Sequence, residues 1–242
     1  MQSYTRRQLK QDKFASSAGE AVHWASDHRK NLVLGVVAIV VVALSVVGYF
    51  FWNNSQIDQA NVLIGKADKT FIAPLRAPGI PAAPGETSFT SIVERGKQAE
   101  KEFKAVADQF PHTKPGKLAR YLEGVAAIQA GENNVAEKEL QAAIDSGDKD
   151  VASMAKFKLA GLYVSSNKTG EAARIYKDLS DHPTGTIAKA QAQLALAEMY
   201  EASDPKQASM IYQQIEKENP NSPEAQIAKS KTAPPPPPNV PR

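Results

Sequence analysis

Cysteine is absent from the 242 residues of this chain. A chain without thiols can form neither a disulfide framework nor a thiolate metal site. The sequence also lacks the common catalytic signatures: the nucleophile elbow G-x-S-x-G, the dinucleotide loop G-x-G-x-x-G, the phosphate-binding loop and the zinc motif H-E-x-x-H. We therefore expect no cofactor, no metal and no catalytic residue, and these absences argue against an enzyme.

A strong excess of charge of one sign is missing as well. Basic residues number 29 and acidic residues 26, and the small basic excess falls within residues 1–31. The remainder of the chain is balanced and shows neither a basic stripe nor a nucleic-acid recognition motif. Nucleic acid is therefore not an expected partner.

The most prominent feature present is an uncharged apolar run from Leu32 to Trp52. A helix of about 20 such residues spans the hydrocarbon core of a bilayer. The run ends in bulky aromatic residues, with Tyr49 and Trp52 at the position of an interfacial belt, and no small-residue cleavage site follows. It predicts a single-span anchor that is retained, rather than a cleaved signal peptide.

Charges on either side of this run predict its orientation. Basic residues precede it, among them Arg29 and Lys30, whereas the nearest basic residues after it are Lys66 and Lys69. Because positive charge favours the cytoplasmic side, the N-terminus is expected in the cytoplasm and the rest of the chain across the membrane. The predicted location is the bacterial inner membrane, with the C-terminal domain in the periplasm.

Beyond the anchor the chain shows an almost continuous helical pattern that repeats. On the second helix of each unit, small residues recur 36 positions apart, at Ala136, Ala172 and Ala208. Two further positions of the same helix also recur 36 residues apart. They are Leu140, Tyr176 and Tyr212, and then Ala143, Leu179 and Ile215. On the first helix, small residues mark the expected point of closest approach: Gly124, Ala160 and Ala197. A helix–turn–helix unit of this length indicates tetratricopeptide-like repeats.

Further elements are predicted at both ends of the repeats. Ala99, Phe103 and Val106 repeat the second-helix pattern, so a degenerate unit would pair them with a helix over 55–70. Prolines in the segment 71–88 exclude helix there and predict a loop inserted in that unit. Downstream, Ser222 and Pro223 would start a short capping helix, and prolines 234–238 a polyproline tail.

The expected architecture is all-α, with one N-terminal transmembrane helix followed by an α-solenoid of tetratricopeptide-like helical hairpins. Its parts are a cytoplasmic basic arm (1–31), the transmembrane signal anchor (32–52), a helical connector (53–89) containing the proline-rich loop (71–88), the repeat domain (90–230) and a proline-rich disordered tail (231–242). The arm is expected to form a juxtamembrane helix on anionic headgroups, or else to dock a cytoplasmic partner.

Solenoids of this kind bind extended peptides or helices in a concave groove lined by the first helix of each pair. In the present register the predicted groove-facing residues are Tyr121, Met154, Phe157, Gln191, Leu194 and Glu198. Aromatic and methionine side chains would suit an apolar or unfolded segment because such surfaces adapt to their partner. The alternative is that these side chains only pack between helices.

The basic arm before the anchor and the repeat turn Gly170–Leu179 (Gly-Glu-Ala-Ala-Arg-Ile-Tyr-Lys-Asp-Leu) resemble the bacterial ancillary subunit of the Sec translocon. The resemblance covers roughly residues 5–70 and 90–220, whereas loop 71–88 and the polyproline tail depart from it. It implies a non-enzymatic, chaperone-like membrane protein whose partners are translocon subunits, periplasmic folding factors and exported chains. A competing hypothesis is a tethered scaffold for envelope assembly or cell-wall coordination. A soluble periplasmic enzyme would need a catalytic constellation that the sequence lacks.

Overall fold

The computed structural model describes Trp24 and residues 28–81 and 85–233. These residues form nine α-helices and no β-strand, so the all-α prediction is confirmed. The helices are α1 (Arg29–Phe71), α2 (Ile92–Gln109), α3 (Lys114–Ala130), α4 (Asn133–Ile144), α5 (Lys149–Ser165), α6 (Thr169–Asp181), α7 (Lys189–Tyr200), α8 (Pro205–Glu218) and α9 (Pro223–Thr232). Most of the predicted arm (1–31) and prolines 234–238 lie outside the described residues. The predicted disordered tail (231–242) began too early, because α9 continues to Thr232.

The chain divides into two compact units, with the boundary at Ser55 and Gln56. In the first unit, the large apolar side chains of residues 32–52 are all exposed on the surface of α1. Ser45, in the middle of this run, donates its hydroxyl to the carbonyl of Val41 at 2.8 Å. This bond satisfies the hydroxyl without water, as a hydrocarbon environment requires. By length and composition, α1 is the one described helix able to cross a membrane.

The second unit is a stack of antiparallel helical hairpins. Residues 56–71 of α1 pair with α2, and the pairs α3–α4, α5–α6 and α7–α8 follow, with α9 packed on α7 and α8. Each helix of this series contacts the next, and four apolar clusters follow one another along the stack. No hairpin buries its apolar face alone, which is the principle of a solenoid.

Small residues allow the paired helices to approach closely. A Cβ atom added at Gly124 on α3 would lie 2.8 Å from Cγ of Leu140 on α4. Ala160 and Ala197 occupy the equivalent positions of the next two hairpins and are completely buried. The 36-residue register thus identified the contact points correctly.

Side-chain caps fix where several helices begin. Thr113, Asp148 and Ser222 each accept a backbone N–H of the first turn, and Asp204 does the same ahead of Pro205. At α2 only half of a capping box forms between Ser91 and Glu94. Ser91 Oγ accepts the N–H of Glu94 at 3.1 Å, but the Glu94 carboxylate accepts from the backbone N–H of Thr90, not of Ser91. The Thr90 hydroxyl also donates to this carboxylate at 2.7 Å, which explains the shift of one residue.

The proline-rich loop is fastened to the first hairpin at its base. Backbone bonds join Arg76 N to Phe89 O at 2.8 Å and Phe89 N to Pro74 O at 3.1 Å, and the Phe89 ring is buried. The Arg95 guanidinium on α2 donates to the carbonyl of Ala73 at 2.8 Å. The described part of the loop therefore starts and ends against the repeat stack.

Candidate protein-binding groove

A groove of about 500 Å³ crosses the first helices of three consecutive hairpins. Its floor is apolar and consists of Ile57 on α1, Leu118 on α3, and Val151 and Met154 on α5. Its remaining lining residues are Asn61, Lys114, Pro115, Asp150 and Thr186. An apolar floor with a few polar groups at its edge is the usual form of a binding site in proteins.

The polar edge is held in place by contacts between repeats. Lys114 Nζ lies 3.9 Å from the Asp150 carboxylate, and both groups remain partly exposed, so this ion pair orients the edge more than it stabilises it. Thr186, in the loop before α7, bonds to the Ser153 hydroxyl at 2.8 Å and donates to the Asp150 carbonyl at 3.3 Å. These bonds draw the loop between the third and fourth hairpins up to the groove.

The structure places the predicted groove residues in different surroundings. Met154 lines the groove. Tyr121 is half-buried in the cluster between α3, α4 and α5, and that burial raises the pKa of its hydroxyl. Phe157 packs edge-to-face on Tyr176 of α6, with ring centres 5.5 Å apart. For Tyr121 and Phe157, contact between helices therefore accounts for much of each ring surface.

The three predicted residues on α7 lie away from this groove. Leu194 is half-buried against the cluster formed by α7, α8 and α9, Gln191 is half-buried, and Glu198 is exposed. None of the three lines the groove described above. Their proposed part in binding stays a prediction.

Leu118 was missed, although the repeat register could have found it. It stands three residues before Tyr121, as Met154 stands three before Phe157 and Gln191 three before Leu194. Ile57 and Thr186 had no comparable signal. The first lies beyond an inserted loop that breaks the register, and the second reaches the groove only through its hydroxyl contacts.

A second feature that the sequence reasoning missed is a pair of buried carboxylates behind the groove. Glu123 on α3 and Glu139 on α4 are 1% and 2% exposed. The Arg120 guanidinium donates to Glu139 at 2.7 Å, and Lys138 donates to it at 2.9 Å. Glu123 is less well served, because its nearest cation is Lys104 Nζ at 3.8 Å and its Oε2 atom has no hydrogen-bond partner.

These surroundings shift the pKa values of the two carboxyl groups in opposite directions. Burial, with the negative charge of Glu139 beside it, raises the pKa of Glu123 from 4.5 to about 7. The pKa of Glu139 is lowered because the hydrogen bonds from Lys138 and Arg120 outweigh its burial. The sequence could have indicated both carboxylates, because the repeat register aligns Glu123 with Leu159 and Glu139 with Ile175 of the next hairpin.

The described residues contain no group of three or more histidine, aspartate or glutamate side chains that could hold a metal ion. A tetratricopeptide repeat-like domain model matches residues 22–182, more than half of the chain. The chain belongs to this family. The match extends from before the apolar run to the end of the third hairpin, and a search of curated proteins finds no match.

Membership in the tetratricopeptide repeat-like family fixes the general role of the domain. Such repeats are protein-interaction modules, and they are generally scaffolds rather than enzymes.

Proposed function

We propose that this chain is a non-enzymatic, membrane-tethered module whose groove holds an apolar segment of another protein. One observation carries the proposal: Ile57, Leu118 and Met154, from three successive hairpins, form one apolar floor. A surface continuous across repeats suits an extended segment, because each repeat can contact the next stretch of the partner. Methionine adds adaptability toward different apolar side chains.

The tether in this proposal is the apolar run of α1. Its large side chains are all exposed, and they would be covered by lipid in a membrane. The charge flanks support a cytoplasmic N-terminus and a repeat domain on the opposite side, in the periplasm of a bacterium. Protease added to sealed spheroplasts tests this orientation. Digestion of the C-terminal domain without rupture would support a periplasmic domain. Protection that is lost only on osmotic rupture would contradict it.

The partner we propose is the Sec translocon with the chains that it exports. The resemblance to the ancillary translocon subunit supports this, as does an apolar groove that suits chains not yet folded. Crosslinking in intact membranes, read by mass spectrometry, provides the test. Recovery of translocon subunits supports the proposal, whereas recovery of envelope-assembly proteins in their place favours the competing scaffold.

The groove itself is tested by a photoreactive residue placed at Met154. Because the chain has no cysteine, Met154→Cys gives a single attachment point for a photocrosslinker. Met210→Cys is the matched control, since Met210 is an exposed methionine outside the groove. We expect position 154 to crosslink to an apolar segment of a translocating chain several-fold more than position 210. Equal yields at the two positions would exclude the groove as the binding surface.

A Leu118→Gln, Met154→Gln double variant gives an independent measurement. Both side chains are only partly buried, so the variant is expected to fold and to lose partner crosslinking from a label outside the groove. The single variant Met210→Gln should retain it. Tyr121 and Phe157 are less suitable targets because their rings also pack the core.

A further inference from the structure

The buried carboxylate Glu123 has no role in the groove, yet it lies at the centre of a three-helix contact. Its side chain is on α3 and is enclosed by α2 and α4. The position belongs to the apolar core in the other hairpins, where Leu159 and Leu196 stand. A carboxylate in such a place has either a strong partner or a reason to be neutral.

The charged groups around Glu123 are already engaged with one another. From α2, Lys104 pairs with Asp108 at 3.1 Å and reaches Glu123 only at 3.8 Å. From α3 itself, Arg120 bonds to Glu139 of α4 at 2.7 Å and to Asp108 at 3.3 Å. Lys138 of α4 also pairs with Glu139.

Three cations therefore form ion pairs with three carboxylates, and the pairs are shared unequally. Asp108 and Glu139 each receive two short contacts, whereas Glu123 receives one long contact and keeps one oxygen without a partner. Glu139, as a neighbouring anion, also opposes a charge on Glu123. A proton on Glu123 removes both the repulsion and the cost of burying an unpaired charge.

We propose that Glu123 is a proton-operated latch, which holds α2, α3 and α4 together when it is protonated and loosens their contact when it ionises. Its ionisation falls close to neutral pH, in agreement with the raised pKa of its carboxyl group. The sign follows from linkage. A group whose pKa is higher in the folded chain than in the unfolded chain stabilises the fold fully at low pH, and this stabilisation is lost as the pH rises through the folded value.

Unfolding of the full chain in detergent micelles, by urea at pH 5 and pH 8, tests the latch. Relative to Glu123→Gln, the wild-type folding equilibrium should weaken by roughly 100-fold between pH 5 and pH 8, because the pKa of Glu123 is raised from 4.5 to about 7 and each pKa unit corresponds to a tenfold change. Parallel pH dependence in the wild type and Glu123→Gln would overturn the proposal. If Glu123→Gln folds poorly, Glu123→Leu replaces it as the reference variant, because leucine is the residue at the equivalent position 159.

Glu139→Gln is the matched control because its carboxyl group lies in the same network with the opposite shift. Removing it should abolish a loss of stability that occurs as pH falls. A decline that arises from Glu123 should remain but occur at lower pH, because the neighbouring anion that helps raise the pKa of Glu123 is gone. Identical pH profiles for the two glutamine variants would also overturn the assignment.

Amide hydrogen exchange of the wild-type chain then locates the effect. After correction for intrinsic exchange rates, α3 and α4 should lose protection between pH 6 and pH 8, whereas α5 and α6, with Leu159 and Ile175 in the equivalent places, should not. A loss spread evenly over all the hairpins would show that Glu123 does not govern this contact.

Discussion

The α3–α4 and α5–α6 hairpins share a helical register but close their interiors with different chemistry. Where α3–α4 has Glu123 and Glu139, α5–α6 has Leu159 and Ile175. Where the first has Gly124 and Ala127, the second has Ala160 and Tyr163. One hairpin thus combines small residues with buried charges, and its neighbour uses larger apolar and aromatic side chains.

The difference shows what the repeat architecture demands and what it leaves open. Both hairpins have a small, buried residue at the equivalent position: a Cβ atom at Gly124 would meet Leu140, and Ala160 is completely buried. The space around that point can be filled either by apolar atoms, which pack with little directionality, or by ion pairs, which require one geometry. We therefore expect α3–α4 to be the more sensitive hairpin to single substitutions and to pH.

The largest expected effect comes from removing the cation that serves Glu139. Arg120→Met would remove the shortest ion pair of the nearly inaccessible Glu139 carboxylate, and we expect a loss of about 3–5 kcal/mol of unfolding free energy near pH 7. The equivalent change in the next hairpin is Lys156→Met, which breaks the half-exposed ion pair with Asp178. That control should cost about 1 kcal/mol or less. Urea unfolding of the full chain measures both, and equal losses would remove the distinction between the two hairpins.

A smaller effect is expected from adding one methyl group at the helix contact. The Cβ atom of Gly124→Ala would meet Leu140 at 2.8 Å, and such overpacking should cost about 1–3 kcal/mol. Gly161→Ala on α5 is the control, since the nearest atom to its Cβ is the Tyr176 hydroxyl oxygen at 3.8 Å. There the gain in helix propensity should stabilise the chain by about 0.5–1 kcal/mol. Thermal melts that shift in the same direction for both variants would contradict this reading of the contacts.

The smallest effect concerns a hydroxyl that joins the two hairpins. Tyr163 donates to the Glu137 carboxylate at 2.8 Å, an arrangement that raises the pKa of Tyr163 to about 12 through burial first and this bond second. Tyr163→Phe should cost about 0.5–1.5 kcal/mol, whereas Tyr121→Phe, whose hydroxyl has no partner among the described residues, should cost little. Chevron or equilibrium unfolding measures this difference. Equal losses of unfolding free energy in the two variants would show that the Tyr163–Glu137 hydrogen bond does not stabilise the fold.

The repeat register predicted the helical pairs and the small residues on their first helices. Ser222 and Pro223 predicted the start of the last helix. All of these features depend on local patterns. Aligning the repeats would also have singled out Glu123 and Glu139, because each is a charged residue at a position that is apolar in the next hairpin. The register could not reveal how three cations would be shared among the carboxylates, because this depends on distances between helices.

The groove was only partly predictable for a similar reason. Met154 was found because it follows the repeat register, whereas Ile57 follows an irregular unit with a long insertion. Side chains such as Phe157 stand at the right position on the helix, but the neighbouring Tyr176 decides how much of the ring stays free. Periodicity assigns a face to a residue, and packing against the next helix decides its exposure.

Helix α9 has a consequence for how the solenoid can grow. It covers α7 and α8 with Ala225 and Ala228, and Lys231 and Thr232 fasten its end to Glu201 and Glu216 at 2.9 and 2.8 Å. A bare α7–α8 pair would present the kind of face on which another hairpin stacks. With that face occupied by α9, the α7–α8 pair of the described structure does not offer it to a further hairpin.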